Sequence, residues 1–443
     1  ISKMQWLLYF LCIGLANSQV GTNFFDFWTD LFRPIPRNSK EGFVPDYTPA
    51  GGNENFFSDV PIFASFLSTT PMNWGYNSEP EPRACRDLRG KVCFLPRGKV
   101  LGGSSVLNFL IYQRGHPADY NDWAEMGNDG WSYAEILPYF KKSENIGIPE
   151  LLNSTFHGKG GYLNIEYSPY KSPLETAFRR AGEELGFEWR DPNGEHVIGF
   201  SKPQATMRNG RRCSSSKAFL EPIRFRKNLK ISKYSTVTKL LIDPTTKTAY
   251  GVEFRKGNVR RKVLVRREVV LAAGSIGSAQ LLMLSGVGPA PHLHDMAITP
   301  LMDLPVGYNL QDHVTFSGNA FIVNDSRLVV NDMLAASPVS ATAYLSGRGP
   351  LTLPGGAAGL AFLRTSRAAA DTAPTRPNIE LRSFAMNPVL IRPKSVGRLM
   401  LRSANFSDHP RIHPNYFNHP DDIKAMVEDN RYRFFFNFLW IIH

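Results

Sequence analysis

A chain of 443 residues that is 42% hydrophobic can bury a large core, and at ~100 to 200 residues per domain it reads as a globular protein of two or three domains. Its 36 Gly and 32 Pro follow no fixed period and form no low-complexity block, which excludes a repeat architecture. The formal charge of +12 raises nucleic acid as a partner, but Arg255, Lys256, Arg260, Arg261, Lys262, Arg266 and Arg267 crowd into one short stretch. No finger spacing or aromatic-rich basic motif accompanies them, so nucleic acid is not an expected partner.

In chain order, residues 1–18 carry Lys3, an apolar run from Trp6 to Ala16, and the small residues Ala16 and Ser18. This is the pattern of a secretory signal, with a buried helix as the other reading; the run is short of the ~20 residues that span a bilayer. Secretion is therefore expected, and no membrane span. Ile1 precedes Met4, so the start of translation is expected at Met4 or upstream of the given sequence. Residues 19–48 form an N-terminal arm. Beyond it, Cys85 and Cys93 flank a short Arg- and Gly-bearing turn; either they close a small disulfide loop and leave Cys213 free, or all three thiols are unpaired. Sequons at Asn153, Asn324 and Asn405 agree with secretion.

Three stretches carry the chemistry. In PRGKVLGGSSVLNFL, Gly102-Gly103-Ser104-Ser105 puts four small residues before an apolar run, so that backbone can approach a large flat or phosphorylated ligand closely. Asn108 then adds an amide that a structural helix face would not require. The segment GVEFRKGNVRRKVLVRREVVL reads as a hairpin with a solvated basic face that feeds a buried strand, Val269 to Ala273. Gly274-Ser275 follows as a turn with a candidate N-cap, then an apolar helix from Ser278 to Leu284 that Gly286, Gly288 and Pro289 end. Strand, glycine and helix in that order bring free amides to a ligand at a sheet edge. The third stretch, DLPVGYNLQDHV, contains His313, which reads as a structural histidine rather than a base. No metal site is expected.

Together these stretches resemble the glucose-methanol-choline oxidoreductase family, most closely its insect glucose-dehydrogenase-like branch. Gly98 to Ser105 with Asn108 and Arg114-Gly115 is similar to the family's first signature. Gly274 to Ser278 through Ser285-Gly286-Val287-Gly288 is similar to its second, with Ala279 where Pro or Ser is usual, and Val306 to His313 to a third shared segment. The likeness runs from about Ala50 to Glu428 and takes in Trp74, Tyr76, Glu79-Pro80, Phe156 to Gly161, Arg392 to Ser395 and Gly397-Arg398. It implies an α/β fold: a Rossmann-like FAD-binding domain over 49–320, interleaved with an antiparallel-sheet substrate domain over 321–443. It also implies FAD as cofactor and hydride transfer to it from the CH–OH group of a small alcohol or sugar, with the electron acceptor unspecified. Carried over residue by residue, Val100, Gly102, Gly103 and Asn108 lie beside the flavin, Val237 beside the adenine, and Gly274 and Ser275 at a second cofactor-facing turn.

The likeness breaks twice. After Pro45-Asp46-Tyr47 the family continues through a strand, a G-x-G-x-x-G turn, a helix and a second strand before Ala-Gly-Gly, whereas here Thr48-Pro49 lead directly into Ala50-Gly51-Gly52. From residue 429 the chain becomes an aromatic tail, β-prone and uncharged over Phe434 to Ile442, without the family's closing histidine segment. The catalytic base therefore has no counterpart in the sequence. This form is expected to be inactive, a partial rendering of a complete enzyme or a relative that only binds.

Overall fold

The computed structural model describes residues 52–316, 330, 334–335, 337–365, 375–382 and 387–437. The expected signal, the N-terminal arm, the Tyr47 to Ala50 junction, Asn324 and the last six residues lie outside these.

The largest sheet is antiparallel and joins distant parts of the chain. Gly199–Ser201 (β1) sits at one edge, and the strands Val314–Thr315 (β5), Leu360–Leu363 (β6), Ile379–Arg382 (β7) and Asn387–Leu390 (β8) complete the order β5-β8-β7-β6-β1. Strand β6 is buried along its length because both faces are covered. Ala361 and Leu363 point to one side, where they pack with Phe178, Ala181, Phe200 and Leu381; Leu360 and Phe362 point to the other, with Val197, Ile111 and Ile391. A sheet covered on both sides reads as a continuous apolar run, which explains Leu-Ala-Phe-Leu.

The helix over that first face, Pro173–Glu184, starts with proline at its first position, which costs no hydrogen bond there. Its Phe178, Ala181 and Gly182 are buried. Gly182 is required by space: a Cβ there would lie 2.6 Å from the Phe200 ring. A second helix, Pro420–Asn437, sets Ala425 and Met426 against Ile379 and Leu390. The expected β-prone tail is thus helical where it is described.

A separate three-stranded meander, Ser235–Ile242 (β2), Ala249–Lys256 (β3) and Val259–Leu264 (β4), contains the basic stretch. Lys256 and Val259 face each other across Gly257, whose φ of 57° suits the tight turn, and β4 is exposed throughout. The hairpin is as expected. The strand it was to feed is not: Val269 to Ala273 forms no strand, and Val270 is 80% exposed. Burying an apolar strand requires neighbours on both sides, and the parallel pairs among the described residues are short and lie elsewhere, Glu144–Ile146 with Leu163–Ile165 and Val287–Gly288 with Met302–Asp303.

The helix after it spans Gly274–Leu284, four residues longer at its start than its apolar run suggests. Ala273 occupies the N-cap position and no side chain caps the helix, so Ser275 lies inside the helix rather than capping it. Ile276, Met283 and Leu284 pack with Leu293, Leu399, Leu401 and Ile412.

Cys85 and Cys93 form a disulfide and Cys213 is free and buried, the first of the two readings open from sequence. Closing so short a loop contributes about 2 to 3 kcal/mol on a chain-entropy argument. Among the described residues no helix is long and apolar enough to cross a membrane.

The tight approach of the Pro173–Glu184 helix to β1 predicts that Gly182→Val lowers stability by roughly 1 to 3 kcal/mol, as overpacked cores do. A urea midpoint equal to that of the parent chain would show that the helix can move off Phe200.

Candidate cofactor-binding site

Two bare stretches of backbone define the site. In the turn from Gly98 to Asn108, a Cβ on Gly98 would lie 2.1 Å from the carbonyl oxygen of Gly103, so the turn closes on itself only with glycine there. Gly102 has φ of 96°, and a Cβ on it would meet Val106 at 2.9 Å. Gly103, with φ of 55°, differs: nothing lies within 4 Å of where its Cβ would stand. Its backbone faces open space. Ser105 turns inward, donating from Oγ to the Gly102 carbonyl at 2.6 Å and accepting from the Ser215 amide at 2.9 Å.

The second stretch is the start of the Gly274–Leu284 helix. Gly274 has φ of 77° and open space at its Cβ position, and Gly274 and Ser275 are exposed. First-turn N–H groups have no acceptor within a helix, and among the described residues no side chain supplies one here, so this end can hold a negatively charged group.

Arg212 anchors the turn from behind. It is 1% exposed; its Nε donates to the Ser58 carbonyl at 2.7 Å, and its Nη1 to the Ser105 carbonyl at 3.0 Å and to Asn108 Oδ1 at 2.7 Å. Asn108 Oδ1 also accepts from the Leu110 amide at 3.1 Å. With the amide oxygen held on both counts, the exposed Asn108 Nδ2 is left without an acceptor among the described residues and faces outward as a donor. Burial lowers the Arg212 pKa to about 10, with Glu54 and Asp59 pulling the other way. Burial likewise raises that of Glu54, against the hydrogen bond from Ser214 and the charge of Lys217.

The structure therefore brings Val100, Gly102, Gly103 and Asn108 onto one turn and places Gly274 and Ser275 on the helix start. Val237 lies on β2 opposite Phe254, 41% exposed. Strand β2 runs from beside the first stretch to the far end of the helix that begins with the second. A Cβ on Gly52, the bridge partner of Val100, would touch Tyr234 at its beginning, and Leu240 near its end donates to Ser285 Oγ at 2.8 Å. His313 is exposed, and the held group of that segment is Asp312, which accepts from the Tyr416 hydroxyl at 2.7 Å. Arg212, Ser214 and Ser215 were not read from the sequence; the only signal for them is the polar density of Asn-Gly-Arg-Arg-Cys-Ser-Ser-Ser.

A second polar constellation is structural. Arg114 Nη2 pairs with Glu144 at 2.7 Å, both side chains fully buried, and His157 bridges Glu144 at 3.0 Å and Asp191 at 2.9 Å. Burial alone would lower the His157 pKa; its hydrogen bonds to the Asp191 and Glu144 carboxylates outweigh it and raise the value to about 9. The Asp191 pKa is lowered: burial opposes ionisation, but the bonds from His157 and Asn193 prevail. Other histidines are committed as well, His116 capping the helix Pro117–Glu125 and His292 accepting from the Leu401 amide.

The profile of the GMC oxidoreductase family matches residues 48–315. The chain is 40% identical over 406 residues to a glucose dehydrogenase (FAD, quinone) of Drosophila melanogaster, covering 86% of this chain and 63% of that protein. It is 35% identical over 403 residues to an oxygen-dependent choline dehydrogenase of Brucella melitensis, covering 86% and 69%. Among solved structures it superposes on a formate oxidase of Aspergillus oryzae with a TM-score of 0.77 at 26% identity, covering 87% and 75%. For pyridoxine 4-oxidase of Mesorbium loti the TM-score is 0.73 at 26% identity, covering 87% and 74%. The chain thus spans 63% of the length of the Drosophila glucose dehydrogenases it matches.

The buried network predicts the pH dependence of stability. The raised His157 pKa contributes stability that is complete below its unfolded value of about 6.5 and is lost as pH rises through about 9. Asp191, lowered, contributes above about 3.9, and that is lost as pH falls through its folded value. Urea midpoints should fall between pH 7 and 10, and His157→Gln should flatten that limb; an unchanged slope in the variant would remove His157 as its source.

Proposed function

Because the chain belongs to the GMC oxidoreductase family, we propose that it is an FAD-dependent oxidoreductase acting on the CH–OH group of a small alcohol or sugar. The observation that carries this reading is the glycine-faced backbone at Gly103 and Gly274, open where every other residue type would place a side chain. FAD is the family's cofactor and, when bound, supplies the acceptor for a hydride. Val100, Gly102 and Gly103 would offer it a flat backbone surface, and the Asn108 amide a donor at the edge of that surface. Gly274 and Ser275, at an uncapped helix start, would face its phosphates, and Val237 its adenine.

The family's division of labour would put residues 49–320 mostly in cofactor binding and 321–443 mostly in the substrate sheet. Strand β1 at Gly199–Ser201 supports an interleaved arrangement, since it pairs with Leu360–Leu363. Secretion is supported by the Cys85–Cys93 disulfide, which persists in oxidising compartments, and by the exposed sequons at Asn153 and Asn405.

A second reading is that this chain binds without catalysis. It is favoured by one observation, that the apolar stretch Val269 to Ala273 stands outside any sheet.

Purified chain supplied with FAD and an artificial dye separates the two. Donor-dependent dye reduction with glucose, choline or a simple alcohol, lost in Gly103→Val, is the expected result. Bound FAD with no reduction by any donor would favour the binding reading instead, and failure to bind FAD at all would overturn the enzyme reading.

A further inference from the structure

A cavity of about 520 Å3, a size typical of small-molecule sites, has walls that include Arg208, Arg211, Arg212 and Lys217. Asp59 is the one carboxylate lining it among the described residues. Four cations against one anion make it an electropositive pocket, and low-dielectric walls strengthen that field.

The cations are not equivalently satisfied. Lys217 pairs with Asp59. Arg208 donates from Nε to Asn164 Oδ1 at 2.9 Å, and Arg211 lies 5.6 Å over the Tyr344 ring, with a long contact of 3.5 Å from Nη2 to the Leu345 carbonyl. Arg212 is nine-tenths buried or more, and although Nε and Nη1 are fully used, its Nη2 is buried with no acceptor among the described residues. A buried guanidinium nitrogen without an acceptor is costly, and its positive charge adds to that of Arg208 and Arg211 at the cavity wall.

We propose that this cavity binds a small oxyanion, a phosphate or a carboxylate, held against Arg208 and Arg211 with the charge of Arg212 behind it. The site is separate in its residues from the surface assigned to FAD, but it is joined to it by one side chain. Arg212 lines the cavity, and its Nη1 holds Asn108 Oδ1 of the glycine turn.

Calorimetric titration of the purified chain with inorganic phosphate, and separately with malonate, at constant ionic strength tests this. Saturable binding to one site is expected for at least one of them, and the tighter one assigns the ligand as phosphate-like or carboxylate-like. Arg208→Gln and Arg211→Gln should each weaken it roughly 10-fold, as loss of a charge-assisted hydrogen bond does. Asp59→Asn, which leaves all three arginines in place and removes the one carboxylate lining the cavity among the described residues, should tighten it even if the arginine variants fold poorly. Arg261→Gln, in the exposed hairpin, should change nothing. The proposal is overturned by the absence of saturable binding of either anion, by an equal loss in Arg261→Gln, or by displacement of the anion with FAD, which would place it in the cofactor's own site.

Discussion

Arg212 is the interaction on which the site depends. Its guanidinium ties the Ser58 carbonyl to two groups of the glycine turn, the Ser105 carbonyl and the Asn108 side chain, all of them far from Arg212 in sequence. The Gly98 to Asn108 turn packs Val106 and Leu107 against Leu67 and Met72, but its glycines contribute no packing and lose the most conformational freedom on folding. A buried, three-way hydrogen-bonded cation offsets that loss. It also dictates which side of the turn is free. With Ser105 turned inward and Asn108 Oδ1 held from behind, the bare backbone of Gly103 and the Asn108 Nδ2 group are what the turn presents outward.

The Gly274–Leu284 helix meets the same requirement by different means. Its body is fixed by apolar packing of Ile276, Met283 and Leu284 and by the Leu240 amide on Ser285, while its first two residues, Gly274 and Ser275, are left uncapped and exposed. In ordinary surface helices such an end is capped by Ser, Thr, Asp or Asn, and an Ala at that position gives up about 1 kcal/mol. An uncapped, glycine-led start next to a rigid core is consistent with a ligand as the capping partner. The Arg114–Glu144–His157–Asp191 cluster is the contrasting case, in which every charged group faces another and the arrangement serves cohesion.

What could be read from the sequence followed from local chemistry. The Lys-Gly-Asn hairpin and the two cysteines eight residues apart have their partners close by; the hairpin is found as expected, and the cysteines take the first of the two readings left open. Val269 to Ala273 was misread because a strand exists only through its neighbours, and an apolar run says nothing about whether they are there. Ser275 was misread as a cap because the helix was placed from its apolar residues, and Gly274 to Gly277 carry almost none. Arg212 was invisible for a different reason: arginine is nearly always at the surface, and only the fold shows that this one is enclosed. Its neighbours Ser214 and Ser215 act through contacts with Glu54 and Ser105, more than a hundred residues away.

The central claim is that the Gly98 to Asn108 turn and the start of the Gly274 helix form one cofactor surface. Hydrogen exchange of the backbone amides in these two segments, measured with and without FAD, tests it most directly. The account predicts that FAD slows exchange in both segments together, with the exposed hairpin at Lys256 to Val259 unaffected. Protection confined to one segment, or none in either while FAD fluorescence is quenched by the protein, would contradict it.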